Sequence, residues 1–187
     1  MYHIKDDPRS IQSSKMIYDG LVQLMCDREF DTITVTDLVK AAKVGRATFY
    51  RNFDTIEDVL RLRCDQVCEG LVEYYIAYQQ QHGAAGPMPR LKPMLRYFDT
   101  HSDMIEMLMQ ANHLDMLATA FRKEFEPYIS WPAVEGEYVG YGLTIRIGVA
   151  ISILAYWIET GKQQTPDELA DKLSMMIQGM VMHNQLP

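Results

Sequence analysis

Cysteine is scarce. Cys26, Cys64 and Cys68 are the whole complement, and three thiols make no obvious disulfide framework in a reducing compartment. Long hydrophobic runs are missing too. The longest charge-free apolar stretch, Ile147 to Ile158, has twelve residues, too short for a membrane span and suited to a buried helix. The opening MYHIKDDPRS is polar and charged, without the basic start and apolar run of a secretory signal, so a cytoplasmic location and no membrane partner are expected. No segment sustains the alternation of a strand. There is no glycine-rich phosphate loop, no nucleophile elbow and no His/Glu metal motif on a helix. An enzyme therefore finds no support, and no catalytic residue, metal or cofactor is expected.

What is present points elsewhere. The 187 residues are 48% hydrophobic, enough for one or two domains with a sizeable core. Net charge is −7, but residues 1–63 carry ten cations and ten acids, whereas residues 64–187 carry eight and fifteen. Only the front part suits nucleic acid. Residues 33–60, ITVTDLVKAAKVGRATFYRNFDTIEDVL, read as two short helices around a tight turn. Thr34 can cap the first, Leu38 and Ala42 share its inner face, Val44 plugs the turn, and Phe49 and Phe53, four apart, anchor the second. Arg46, Ala47, Thr48, Tyr50, Arg51 and Asn52 are left facing outward. Between Leu38 and Phe53 stand four cations, Lys40, Lys43, Arg46 and Arg51, and no acid, which is what phosphate contact requires.

This segment resembles the N-terminal domain of the TetR family of transcriptional regulators, whose members read roughly T-V-x-x-I-A-x-x-A-G-V-S-x-x-T-F-Y-x-H-F. The corresponding residues are Thr34-Val35, Leu38-Val39, Ala42-Lys43-Val44-Gly45, Thr48-Phe49-Tyr50 and Asn52-Phe53. A first helix bearing Ile17, Leu21 and Leu24, and the downstream Val59 and Leu60, extend the likeness over about a third of the chain. There are departures. Lys43 replaces the turn glycine, so either it takes a left-handed conformation or the turn differs. Gly45 replaces the usual serine cap, Val39 a small alanine at the helix crossing, and Ile56 a lysine that grips phosphate; the fourth helix is expected to hold DNA less firmly.

The rest reads as helices in short loops. A long helix is expected from Thr55 to about Gln81, with Thr55 as cap and Asp58 in a capping-box position. HGAAGPMPR, residues 82–90, is the clearest break. Further helices are expected over 91–99, 103–109 and 112–128, with a loop around Ser130-Trp131-Pro132. The segment from Glu137 to Thr160 is apolar on nearly every face after Leu143 and so needs a partner on its second side. Thr165-Pro166-Asp167-Glu168 opens a last helix, with Leu169, Leu173, Met176, Ile177 and Met180 as its apolar stripe.

The resemblance implies an all-α protein: a three-helix helix-turn-helix DNA-binding domain over 1–63 and a helical effector-binding and dimerisation domain over 64–187. It implies a homodimer, paired through the last two helices at Ile147, Ile151, Leu154, Ile158, Leu173, Ile177 and Met180; a monomer core is the plain alternative. It implies double-stranded DNA with a palindromic operator as partner, approached by Thr36, Arg46, Ala47, Thr48 and Tyr50. Thr34, Lys43, Tyr50, Arg51 and Asn52 complete that surface, with Thr34, Tyr50 and Arg51 holding phosphate. Tyr50 as a packing residue and Arg51 as solvated charge are the alternatives.

A small-molecule effector is implied as well. Phe98, Met104, Met107, Leu108, His113, Phe121, Tyr128 and Trp131 are the candidate pocket residues, methionine and aromatic walls being adaptable; ordinary core filling is the competing reading. Cys64 and Cys68 share one helix face, and with His101 or His113 a metal or oxidant sensor is conceivable, against burial as small hydrophobes. The functional expectation is a repressor released by its effector. The alternative is a protein of the same fold acting mainly through a protein partner.

Overall fold

Residue spacing fixes the first helix. α1, Pro8–Met25, starts where Asp7 accepts hydrogen bonds from the amides of Arg9 and Ser10 at 3.0 and 2.9 Å, with Pro8 in the first turn. Ile17, Leu21 and Met25, four apart, form its buried edge. In the computed structural model, described for residues 1–83, 90–128 and 138–183, every regular element is helical. Among the described residues an isolated antiparallel bridge joins Tyr2 to Phe53.

The chain forms two units. The front one comprises residues 1–67 together with 103–117, and the rear one 68–102 with residues from 118 onward. In the front unit α1 packs on α2, Val35–Ala41, and on α3, Arg46–Asn52. At the crossing of α1 and α2 a Cβ built on Gly20 would stand 2.8 Å from the Ala42 nitrogen, closer than real carbon atoms approach, so these backbones meet with no side chain between them. α4, Glu57–His82, runs from the front unit into the rear one. Its start lies two residues beyond Thr55, and Asp58 reaches back to accept the Thr55 amide at 3.0 Å.

The front unit also takes in α6, Ser102–Gln110, and the first turn of α7, Leu114–Phe125, which sequence reasoning had grouped with the rear domain. The reason is a set of long-range contacts. Tyr18 donates its hydroxyl to the Met107 sulfur at 3.4 Å, the Gln110 side-chain amide donates to the Met25 carbonyl at 2.7 Å, and His113 meets the Phe30 ring edge-on at 5.5 Å.

In the rear unit α5, Leu91–Asp99, packs on α9, Pro166–His183, and on α8, Tyr138–Glu159. Arg96 holds Asp167 with two bonds of 2.7 and 2.6 Å, which keeps that carboxyl below the usual carboxylate range. α9 opens as expected. Thr165 and Glu168 cap one another, the Glu168 amide donating to Thr165 Oγ1 at 3.3 Å and the Thr165 amide to Glu168 Oε2 at 3.0 Å. α8 closes where Gly161 turns left-handed at φ 78°.

Candidate nucleic-acid interface

The turn between α2 and α3 is a left-handed helix cap carried by a lysine. Lys43 sits at φ 55°, its amide donating to the Lys40 carbonyl at 3.3 Å, and the Val44 amide reaches back to Val39 at 3.0 Å. Of the two conformations left open by the sequence, the left-handed one is adopted. A side chain in that region costs about 1–2 kcal/mol. Lys43→Gly should therefore raise the melting temperature of the protein while removing one exposed cation, so that DNA affinity falls as stability rises; a calorimetric scan and a DNA titration on the same variant check both signs.

Thr34 starts α2 with a reciprocal cap: the Asp37 amide donates to Thr34 Oγ1 at 3.2 Å and the Thr34 amide to Asp37 Oδ2 at 3.1 Å. The Thr34 hydroxyl also donates to Asp37 Oδ2 at 2.7 Å, so its proton is committed to the cap. These bonds, with Arg28 at 3.1 Å, hold the Asp37 carboxyl below its ordinary pKa. α3 begins at Gly45, which offers no side-chain cap but accepts the Thr48 and Phe49 amides through its carbonyl.

Phe49 and Phe53 are wholly buried, as is Leu38 beneath them, and this anchors α3. Its other side is open. Thr36, Lys40, Lys43, Arg46, Ala47, Tyr50 and Arg51 are exposed and Thr48 is half-buried. Tyr50 leans edge-on against Phe49 at 5.3 Å yet stays 52% exposed, so packing and availability for contact coexist in one residue.

Asn52 does not belong to this surface, and the expectation is corrected. It is completely buried: Ser10 Oγ donates to its Oδ1 at 3.0 Å, and its Nδ2 donates to Ser13 Oγ at 2.9 Å. Standing three residues after Phe49, it shares the inward face of α3, where its amide ties α1 to the end of the helix. Ser10 and Ser13, also buried, were missed from sequence. Three small polar residues give no hydropathy signal for a core.

In the rear unit a cavity of about 510 Å³ lies between residues of α4, α5, α7 and α8. Of the candidate pocket residues among those described, only Phe121 lines it. Phe98 is buried in the rear core at 5.9 Å from the Phe121 ring, and Tyr128 is 55% exposed. Met104, Met107 and Leu108 are buried in the front unit and His113 is half-buried there, so these four fill the core around α6 and lie outside the cavity. Trp131 lies outside the described residues. Tyr75, Arg90 and Arg146, which do line the cavity, carried no sequence signal because residues from four helices meet only in the fold.

On α8, three of the residues expected at a subunit contact are buried within the protomer. Ile147, Leu154 and Ile158 point into the rear unit and are buried, while Tyr138, Tyr141, Ile145, Val149 and Tyr156 form an exposed stripe on the opposite side. Ile151, Leu173 and Ile177 are half-buried, and the side chain of Met180 lies outside the described residues. A helix apolar all round gives hydropathy no phase to read. By length and composition alone α8 would also pass for a membrane span, with Arg146 near its middle. Cys64 and Cys68 are buried, and among the described residues no cluster of metal-binding side chains occurs.

α1, α2 and α3 have the arrangement of a helix-turn-helix DNA-binding domain, with α3 short, cationic and outward-facing. Residues 17–62 match the family described as bacterial regulatory proteins, tetR family. The whole fold is similar to that of Lin0861 from Listeria innocua, at 18% identity over 98% of this chain and 96% of that one, with a TM-score of 0.74. It is also similar to a TetR transcriptional regulator from Streptococcus agalactiae, at 21% identity over 90% of this chain and 96% of that one, with a TM-score of 0.60. No curated protein matches the chain in sequence.

Proposed function

We propose that the protein is a repressor that binds a palindromic operator as a homodimer and is released by a small molecule held in the rear cavity. The observation that carries the reading is the exposed side of α2 and α3, where Lys40, Lys43, Arg46 and Arg51 face solvent over buried Phe49 and Phe53, with no acid in the sequence from Leu38 to Phe53. Arg46 and Thr48 at the front of α3 read bases, and Tyr50 and Arg51 set register on phosphate. The Thr34 hydroxyl is left to its cap. One such helix covers too few base pairs to select a site, whereas two on a twofold axis read half-sites about 34–36 Å apart.

The exposed stripe of α8, and Met175 and Met176 on α9 at 69% and 56% exposure, support pairing of subunits through these two helices. Contiguous apolar surface of this kind is uncommon on a monomer. The cavity supports release, because Leu71 and Tyr75 in its wall belong to α4, the helix whose first turns are part of the DNA-binding unit. A ligand favouring the released arrangement by about 1–3 kcal/mol weakens DNA binding about 5- to 150-fold.

The test is a fluorescence titration on DNA flanking the coding region, against random duplex. Arg46→Ala should lose about 1–3 kcal/mol on the specific site and relax base choice. Arg51→Ala should lower affinity on all sequences alike and flatten the salt dependence. Equal losses on specific and random DNA for Arg46→Ala would remove it from the reading surface.

A further inference from the structure

The rear cavity has a charge pattern at odds with its surroundings. From residue 64 onward the chain holds fifteen acids against eight cations, yet among the described residues the cavity wall contains two arginines, Arg90 and Arg146, and no acid. Arg90 has no carboxylate partner among the described residues: its guanidinium lies 5.4 Å over the Tyr75 ring and donates to the Tyr128 carbonyl at 3.3 Å. A neutral carbonyl leaves that positive charge uncompensated. The two arginines also act on one another. Partial withdrawal from water and the facing Arg90 charge both push the Arg146 guanidinium below its ordinary pKa, although it remains cationic.

A third polar group stands beside them. Tyr75 is buried, its hydroxyl has no hydrogen-bond partner, and burial pushes its pKa up to about 12, so it stays a neutral donor. The remaining wall is apolar, built from residues such as Leu71, Met94, Phe121, Leu143 and Ile147. A volume of about 510 Å³ falls within the ~300–1,000 Å³ range of sites for drug-sized ligands.

We propose that this cavity binds an amphipathic oxyanion, its carboxylate or phosphate head held between Arg90 and Arg146 and its apolar body lying along Leu71, Met94, Phe121 and Leu143. Guanidinium groups match both head groups with paired N–H donors. An apolar body displaces water from the greasy wall. The proposal rests on the effector reading above, which assigned the cavity no chemistry.

Calorimetric titration of the full chain with decanoate, decyl phosphate and decanol below their aggregation limits tests it. At least one anion should bind about ten- to a hundredfold more tightly than decanol. Arg90→Met with Arg146→Met should bring anion and alcohol to parity. Arg146→Glu, a change at an exposed position that should leave the fold intact, should turn the preference toward the alcohol. Decanol equal to both anions in the parent protein, or a preference surviving either variant, overturns the proposal. Operator release measured on the same samples separates the two readings: anion binding that leaves the DNA complex intact keeps the ligand class and overturns release, whereas release by other compounds without any anion preference does the reverse.

Discussion

Asn52→Asp is expected to destabilise the protein by about 3 kcal/mol or more at neutral pH, because it places a carboxylate in a fully buried site with only two serine hydroxyls to meet it. For a chain of this size that corresponds to a melting temperature lower by about 6–12 °C. The pH dependence has a definite sign. A protonated aspartic acid can copy the amide, accepting from Ser10 and donating to Ser13, so burial raises the folded pKa above the unfolded value near 3.9. The penalty is then small below about pH 4 and grows as pH rises, since the unfolded chain gives up its proton first. Calorimetric scans at acid and neutral pH measure it. A melting temperature unchanged at both, with loss of DNA binding alone, would return Asn52 to the outward surface.

Tyr141→Asp combined with Tyr156→Asp is expected to leave a folded monomer with operator affinity reduced by about 10²–10⁴, the factor by which a linked second half-site strengthens binding. Both residues are more than 60% exposed, so the charges cost the single chain little and act at the proposed subunit contact. Sedimentation and DNA titration of the double variant check the two halves of this expectation. A dimer of unchanged stability would move the contact away from the outer face of α8. Charges at Ile147 or Leu154 would give no such answer, since both are buried in the protomer and their replacement disrupts it directly.

The helices were legible where local chemistry sets them. The cap at Thr34, the start of the last helix at Thr165 and the bounds of α5 follow from residues within a few positions of one another. The start of α7 was misplaced because Asn112, expected inside a helix, instead takes a left-handed turn at φ 56° that closes α6. Buried and exposed positions were legible when pattern and burial agree, as at buried Phe49 and exposed Arg46 and Tyr50 on α3. They were illegible in two circumstances. A polar residue turned inward, as Asn52 is, looks like surface until its partners on another helix are known. Residues that converge from distant segments, as Tyr75, Arg90 and Arg146 do, share no spacing for a linear reading to find.

The meeting of main chains at Gly20 and Ala42 bears on what this architecture can become. Because α1 and α2 are spaced by peptide atoms at that crossing, repacking elsewhere has little leverage on their separation there. The platform under α3 is stiff by construction. New operator vocabularies can then be tried by exchanging the few outward side chains, with the scaffold that aims them held constant.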